Sequence, residues 1–239
     1  VCLPEKFLRF LKLMLSAFHS LFFPSLCMAC DAALQQAEDC ICTHCRVHLP
    51  QTNYHMDADN PLIKYFWGKI PIEAIGAYYF FNKGGKVQTL LHRLKYKGNK
   101  EIGLKVGRFY GYDLKKSSLF QDLNFIVPIP LHPKKENKRG YNQSLYFALG
   151  LAETIGIEVA PTALARVSDA GTQTRKSRFS RSTNVNEQFQ LNSHPNFENQ
   201  HLLLVDDVIT TGATLEACAH ALLQIKGVKI SIAAMACAW

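Results

Sequence analysis

The sequence predicts an α/β protein, a parallel sheet with flanking helices, joined to a small N-terminal module built on four cysteines. Three observations predict it. Short aliphatic runs alternate with segments of helical periodicity, the pattern of a parallel sheet whose strands are connected through helices. Two of these runs, residues 125–130 (FIVPIP) and 201–205 (HLLLV), lead into a polar loop and then a helical segment, which makes two strand-loop-helix corners. Of eight cysteines, four fall in two CxxC pairs, Cys27/Cys30 and Cys42/Cys45, with eleven residues between the pairs. With 239 residues, 48% of them hydrophobic, the chain can bury one α/β core of ordinary size and carry a smaller module besides. The segments expected are 1–23, 24–50 and 70–239.

Residues 6–23 (KFLRFLKLMLSAFHSLFF) begin like a signal peptide, but their periodicity is that of an amphipathic helix. Lys6, Arg9, Lys12, Ser16, His19 and Ser20 recur at three- and four-residue steps, and Phe7, Phe10, Leu11, Met14, Phe18 and Leu21 share the broad apolar side, which Pro24 ends. No uninterrupted apolar run reaches transmembrane length, and no small-residue cleavage pattern precedes Cys27, so cytoplasmic residence is expected. The apolar side either packs on the rest of the protein or lies on the inner face of a membrane or on a partner protein.

In residues 24–50, the spacing of Cys27, Cys30, Cys42 and Cys45 lets four thiolates converge tetrahedrally on one Zn²⁺. A ligand set with Cys40 in place of Cys42 is the alternative; Cys42 is favoured because a CxxC turn presents both sulfurs to one ion. His44 and His48 are surplus to four thiolates and read as surface residues. Disulfide or redox chemistry is the competing reading of the cysteines. Cys218 and Cys237 argue against it, since they fall in a helix and a strand as small core residues with no evident redox partner.

Residues 50–72 are punctuated by Pro, Asn and Asp and read as a connector. Residues 74–82 (AIGAYYFFN) read as a strand, residues 88–95 as a helix, and Tyr96-Lys97-Gly98 as a basic turn. From Lys83 to Arg108 there are eight Lys/Arg against one Glu, which fits a solvated helical face or anion contact. After the run 125–130, a loop carries His132, Lys134, Lys135, Lys138 and Arg139 against Glu136, a set suited to a polyphosphate, with Lys134 and Arg139 the leading candidates. A helix follows over residues 142–155, with Asn142 and Gln143 placed to cap or bind. Residues 166–186 are polar and basic, with Arg175, Lys176, Arg178 and Arg181, and read as a mobile loop able to close over an anion site. Strand 201–205, helix 215–225 and strand 228–238 complete the alternation.

The second corner carries the most specific chemistry. In LLLVDDVITTGAT, residues 202–214, two acids end a buried strand and a Thr/Gly turn opens a helix. Backbone N–H groups at a helix N-terminus lack intrahelical partners, and the helix dipole favours an anion there, so a phosphate can dock on Thr210, Thr211, Gly212, Ala213 and Thr214. Asp206 and Asp207 sit where ligands of open α/β sheets bind and suit sugar hydroxyls, directly or through an oxygen-ligated divalent cation. The chain has neither GxxxxGK[ST] nor GxGxxG after a strand, which disfavours simple nucleotide hydrolysis and hydride transfer. A net charge of +8 points to anionic partners of some kind.

All thirteen positions of residues 202–214 resemble the phosphoribosyl pyrophosphate (PRPP) motif of type I phosphoribosyltransferases. The resemblance implies that Asp206 and Asp207 bind the ribose hydroxyls and act as the catalytic acids, that residues 210–214 bind the 5-phosphate, and that Mg²⁺ accompanies PRPP. With FPSLCMAC, ICTHC, LHRLKYKG, VPIPLHPKKENKRGYNQS and TQTRKSRFSRSTNV in the same order, the chain also resembles the ComF family (ComFC/GntX-type), zinc-bearing phosphoribosyltransferase-like proteins of bacteria. That resemblance implies a four-cysteine zinc module before a type I phosphoribosyltransferase domain, cytoplasmic and tied to DNA uptake in natural transformation. Lys176 departs from it, standing where Gly is common.

Two functions are in play. One is transfer of ribose 5-phosphate from PRPP to an acceptor that no segment of the sequence identifies. The other is a non-catalytic PRPP sensor that binds single-stranded DNA through Lys95, Lys97 and Lys100, with Tyr96, Phe109, Tyr110, Tyr141 and Phe179 available for stacking. A purine-type salvage enzyme ranks last, because salvage needs neither the cysteine module nor the N-terminal helix.

Overall fold

The structure is a computed structural model that describes residues 23–167, 189–192 and 195–238. The amphipathic segment, Phe23 apart, and the basic residues 168–188 lie outside the described residues. The chain divides into two compact units, residues 1–48 and 49–239.

In the first unit, an antiparallel bridge between Leu26 and Ala33 closes the turn that holds Cys27 and Cys30. Helix α1 (Thr43–His48) holds Cys45. Glu38 ties the loop to this helix by accepting the N–H groups of Gln35 at 2.8 Å and Thr43 at 2.6 Å.

The second unit contains β1 (Ala74–Phe81), α2 (Lys86–Tyr96), α3 (Glu101–Lys116), β2 (Phe125–Pro128), α4 (Pro133–Arg139), α5 (Gln143–Ile155) and β3 (Glu158–Val159). It continues with β4 (Leu164–Arg166), β5 (Phe189–Leu191), β6 (His201–Ile209), α6 (Ala213–Leu222) and β7 (Lys229–Ala238). Five strands form one parallel sheet in the order β1-β7-β6-β2-β3, and β4 and β5 form a separate antiparallel pair. The central strands are nearly continuous aliphatic runs because both of their faces are covered. On one face Ile75, Ala77, Val127, Leu202, Leu204, Ile230 and Ile232 pack with Leu215, Cys218 and Leu222 of α6. Alternate residues point to the other face. There α3 and α5 meet through glycine: a Cβ on Gly107 would run into the carbonyl of Phe147, and one on Gly150 into that of Leu104.

Residues 50–72 are more than a connector. Leu62, Phe66 and Ile70, spaced four apart, enter the core beneath α6, and the 3₁₀ turns Tyr54–Met56 and Pro61–Tyr65 pack against β1. Buried Asn60 holds this segment by donating to the carbonyls of Asp57 (2.8 Å) and Ile75 (2.9 Å). Ahead of it, Pro50 and Thr52 bond the backbone of β1 at Phe80 and Tyr78, which closes the outer edge of that strand.

The sheet order decides where a ligand fits. From β6 the chain crosses through α6 to β7 on one side; from β2 it crosses through α5 to β3 on the other. Right-handed crossovers in opposite directions put α5 and α6 on opposite faces, so the loops after β2 and β6 part and leave a crevice at the strands' C-terminal edge.

Candidate functional site

At that crevice β6 delivers the two acids. Asp206 is half-buried, and its Oδ1 accepts the hydroxyl of Ser144 at 3.0 Å and the amide of Asp207 at 2.7 Å. Asp207 is buried, its Oδ1 lies 2.9 Å from Lys95 Nζ, and its Oδ2 has no hydrogen-bond partner. Burial, and next the charge of Asp207, push the Asp206 carboxyl up to about 7, against the opposing pull of the Asp207 amide, Ser144 and Lys95. Hard oxygen donors with one orphaned carboxylate oxygen suit Mg²⁺.

Beyond Ile209 the chain turns through exposed Thr210 and Thr211 into Gly212, the α6 N-cap, at φ 74°. Only glycine takes that dihedral without strain, and a Cβ there would stand 2.9 Å from the Phe66 ring. The first helical bond runs from the Glu216 amide to the Gly212 carbonyl at 2.8 Å, so the amides of Ala213, Thr214 and Leu215 precede it in the opening turn. Asp206, Thr210, Thr211, Gly212, Ala213 and Thr214 line one cleft. The segment 50–72 supports this loop from behind, through Phe66 and through the Lys69–Glu216 ion pair at 3.1 Å.

The other wall differs from the expected basic loop, because residues 133–139 are helical. Pro133 opens α4, the ring Nδ1 of His132 accepts the amide of Lys134 at 3.2 Å, and Gly140 in the left-handed region ends it. No residue of α4 is buried, so PKKENKR has no apolar period by which to read it as a helix. A cavity of about 350 Å³ beside it is lined by Lys95, Tyr96, Gly98, Lys135, Lys138 and Arg139. His132 and Lys134 are not among that lining. Arg139 donates to Gln143 Oε1 at 2.8 Å and lies 5.3 Å from the Tyr96 ring centre. Asn142 caps α5 by accepting the Ser144 amide at 3.0 Å and donates to the Ile129 carbonyl at 2.9 Å, which fixes Ser144 toward Asp206.

Lys95 and Ser144 are therefore site residues that sequence reasoning missed. In sequence Lys95 belongs to a basic stretch that fits a solvated or DNA-contacting face, and nothing local links it to Asp207. Among the stacking candidates, Tyr110 and Tyr141 are buried and cannot meet a base; Tyr96 is 61% exposed, and Phe179 lies outside the described residues.

In the first unit the sulfurs of Cys27, Cys30, Cys42 and Cys45 all lie within 4.8 Å of one another, with Cys30 and Cys42 3.8 Å apart. Four sulfurs about 2.3 Å from one tetrahedral ion stand about 3.8 Å apart, so the group fits structural zinc. Cys40 is not in the group; at φ 61° it turns the chain into the second CxxC. Burial raises the Cys27 thiol, but the amides of Cys42, Ala29 and Cys30 together outweigh it and bring Cys27 to about 7, toward the thiolate a metal needs.

Residues 142–238, from the α5 cap to the end of β7, match the family model of the phosphoribosyl transferase domain. DNA utilization protein YhgH of Salmonella typhimurium is 30% identical over 141 residues, 58% of this chain and 61% of that protein. Competence protein F of Haemophilus influenzae is 26% identical over 88% of this chain and 96% of its own length. Competence protein ComFC of Bacillus subtilis is 30% identical over 61% of this chain and 57% of its own. The alignments thus span less than two thirds of the Salmonella and Bacillus proteins and nearly all of the Haemophilus one.

A five-stranded parallel sheet, flanking helices, the acid pair and the four-cysteine cluster define a type I phosphoribosyltransferase-like protein with a compact cysteine module. Within that class the chain is similar to the competence proteins of Haemophilus influenzae and Bacillus subtilis and to the DNA utilization protein of Salmonella typhimurium.

Proposed function

We propose that this protein binds PRPP with Mg²⁺ between the β6–α6 and β2–α5 corners and transfers its ribose 5-phosphate to an acceptor in bacterial DNA uptake. The observation that carries the reading is the acid pair Asp206–Asp207, flanked by a helix N-terminal cleft on one side and a cationic cavity on the other. The amides and hydroxyls of residues 210–214 hold the 5-phosphate, and the two carboxylates accept the ribose 2′ and 3′ hydroxyls. Lys135, Lys138 and Arg139, with Lys134 and His132 nearby in the chain, neutralise the diphosphate. Asp206 and Asp207 would hold Mg²⁺, which would supply positive charge to offset that of the departing diphosphate. As the C1–O bond breaks, its electron pair leaves with the diphosphate, the acceptor's lone pair forms the new bond to C1, and the nearby acids balance the positive charge that develops on the sugar. The names of the competence and DNA-utilization relatives support the cellular role. Reducing cytoplasm suits a thiolate zinc site. Among the described residues no helix is long and apolar enough to cross a membrane. Contact with a membrane or partner through residues 6–23 is a separate proposal, tested by liposome co-sedimentation with and without residues 1–23.

The test is diphosphate release from PRPP with Mg²⁺ over a panel of nucleobases and single-stranded DNA, with Asp206→Ala/Asp207→Ala as control. Acceptor-dependent release that disappears in the control supports transfer and names the acceptor class. PRPP binding without release favours the second reading, a PRPP-sensing protein that binds single-stranded DNA. That reading has its own observation: Tyr96 is exposed beside the Arg139 guanidinium in a lysine-lined cavity, an arrangement that suits a stacked base between phosphates. Steep salt dependence of DNA binding, lost on neutralising Lys97 and Lys100, would favour it.

A further inference from the structure

We propose that Lys95 is an exchangeable counter-ion: it neutralises Asp207 until the divalent cation takes that carboxylate, and its ammonium then passes to the diphosphate in the adjoining cavity. The inference rests on reading this corner as a PRPP site and adds a step within it.

Lys95 lies in the last turn of α2, and its ammonium is 2.9 Å from Asp207 Oδ1, with the lysine side chain 23% exposed and the acid 7%. The other oxygen of that carboxylate is buried and unpartnered. A Mg²⁺ ion sits about 2.1 Å from its oxygen ligands, so an ammonium left on the same carboxylate would be held within a few ångströms of a double positive charge. Repulsion between the two cations favours release of the monovalent one. Lys95 has somewhere to go, because the same side chain walls the cavity formed with Tyr96, Gly98, Lys135, Lys138 and Arg139, whose lining contains no carboxylate. Its four-carbon stem turns freely, unlike a guanidinium locked in a bidentate pair. The acid pair thus keeps a cation before and after the exchange, and the diphosphate gains one more positive charge only once the metal is in place. Such an arrangement makes metal and diphosphate binding support each other, and it weakens capture of the metal alone.

The experiment compares wild type with Lys95→Gln and with Lys95→Met, which preserves most of the stem's packing. Mn²⁺ serves as the probe for the metal, read by electron paramagnetic resonance without PRPP. Calorimetry reads PRPP binding in Mg²⁺. The exchange predicts opposite signs: Mn²⁺ alone binds about tenfold more tightly to the variants, whereas PRPP with Mg²⁺ binds at least about tenfold more weakly. A purely structural bridge would weaken both, and a lysine that only binds diphosphate would leave Mn²⁺ unchanged; either result overturns the exchange. Submicromolar Mn²⁺ binding to wild type without PRPP would overturn it too, with no variant needed. If wild type takes up no PRPP, the site reading itself falls, and that failure is separable because the Mn²⁺ measurement is made without PRPP.

Discussion

Asp206 shows how a ligand site can oppose the stability of its own fold. Its carboxyl is raised from 3.8 to about 7, first by burial and then by Asp207. Between those values the folded chain keeps a proton that the unfolded chain has released, so this group's contribution to stability falls as pH rises from about 4 to about 7. Asp206→Asn removes that dependence. Its melting temperature should exceed wild type by several degrees at pH 8 and by little at pH 4, since each kcal/mol is worth about 2–4 °C in a chain of this size. The same titration controls the proposed ligand, because hydroxyls and Mg²⁺ need the carboxylate. PRPP affinity should therefore rise by about tenfold or more from pH 6 to pH 8 in wild type and stay undetectable in Asp206→Asn, which calorimetry across that range would show.

At the scale of elements, the α3–α5 contact depends on the absence of side chains. Gly107→Ala would place a methyl group against Phe147 and Gly150 backbone, and such overpacking costs about 1–3 kcal/mol, to be measured as a lower urea midpoint with unchanged slope. The elements most legible in the sequence were those whose burial imposes a period. Helices α2, α5 and α6 and strands β1, β2, β6 and β7 bury apolar residues at regular steps, and their patterns predict them to within a few residues at most ends. Helix α4 was illegible because it buries nothing and is held by its two ends. Segment 50–72 was misleading for the opposite reason: its Pro and Asn residues read as punctuation, while Leu62, Phe66 and Ile70 gave a four-residue period short enough to overlook. In the site, Asp206, Asp207 and the Thr/Gly turn were legible because they are contiguous in sequence. Lys95 and Ser144 were not, because their link to the acids exists only once β2, β6 and the helices around them are assembled.

At the scale of the molecule, two units with different means of cohesion share one chain. The larger has a broad apolar core, while the described residues 23–48 of the other bury few apolar side chains and gather four sulfurs fit for a metal. A bound zinc would contribute on the order of 10 kcal/mol to its folding. Protein purified without added zinc should carry one equivalent by elemental analysis. Cys42→Ala should lose it and Cys40→Ala keep it; the reverse result would return Cys40 to the ligand set. Strong chelation should make the cysteines of the cluster reactive to thiol reagents while leaving the melting of the phosphoribosyltransferase-like unit largely unchanged. The residues just after that module have a less obvious effect. Because Pro50 and Thr52 bond the free side of β1, they act as a selvedge on the sheet: a protein begun at residue 49 keeps it, whereas one begun at 53 or later leaves the Tyr78 carbonyl and the Phe80 amide open on that border, a template for chain-to-chain stacking. Where the module ends thus decides whether the remaining domain can be handled as a dispersed monomer or gathers into aggregates.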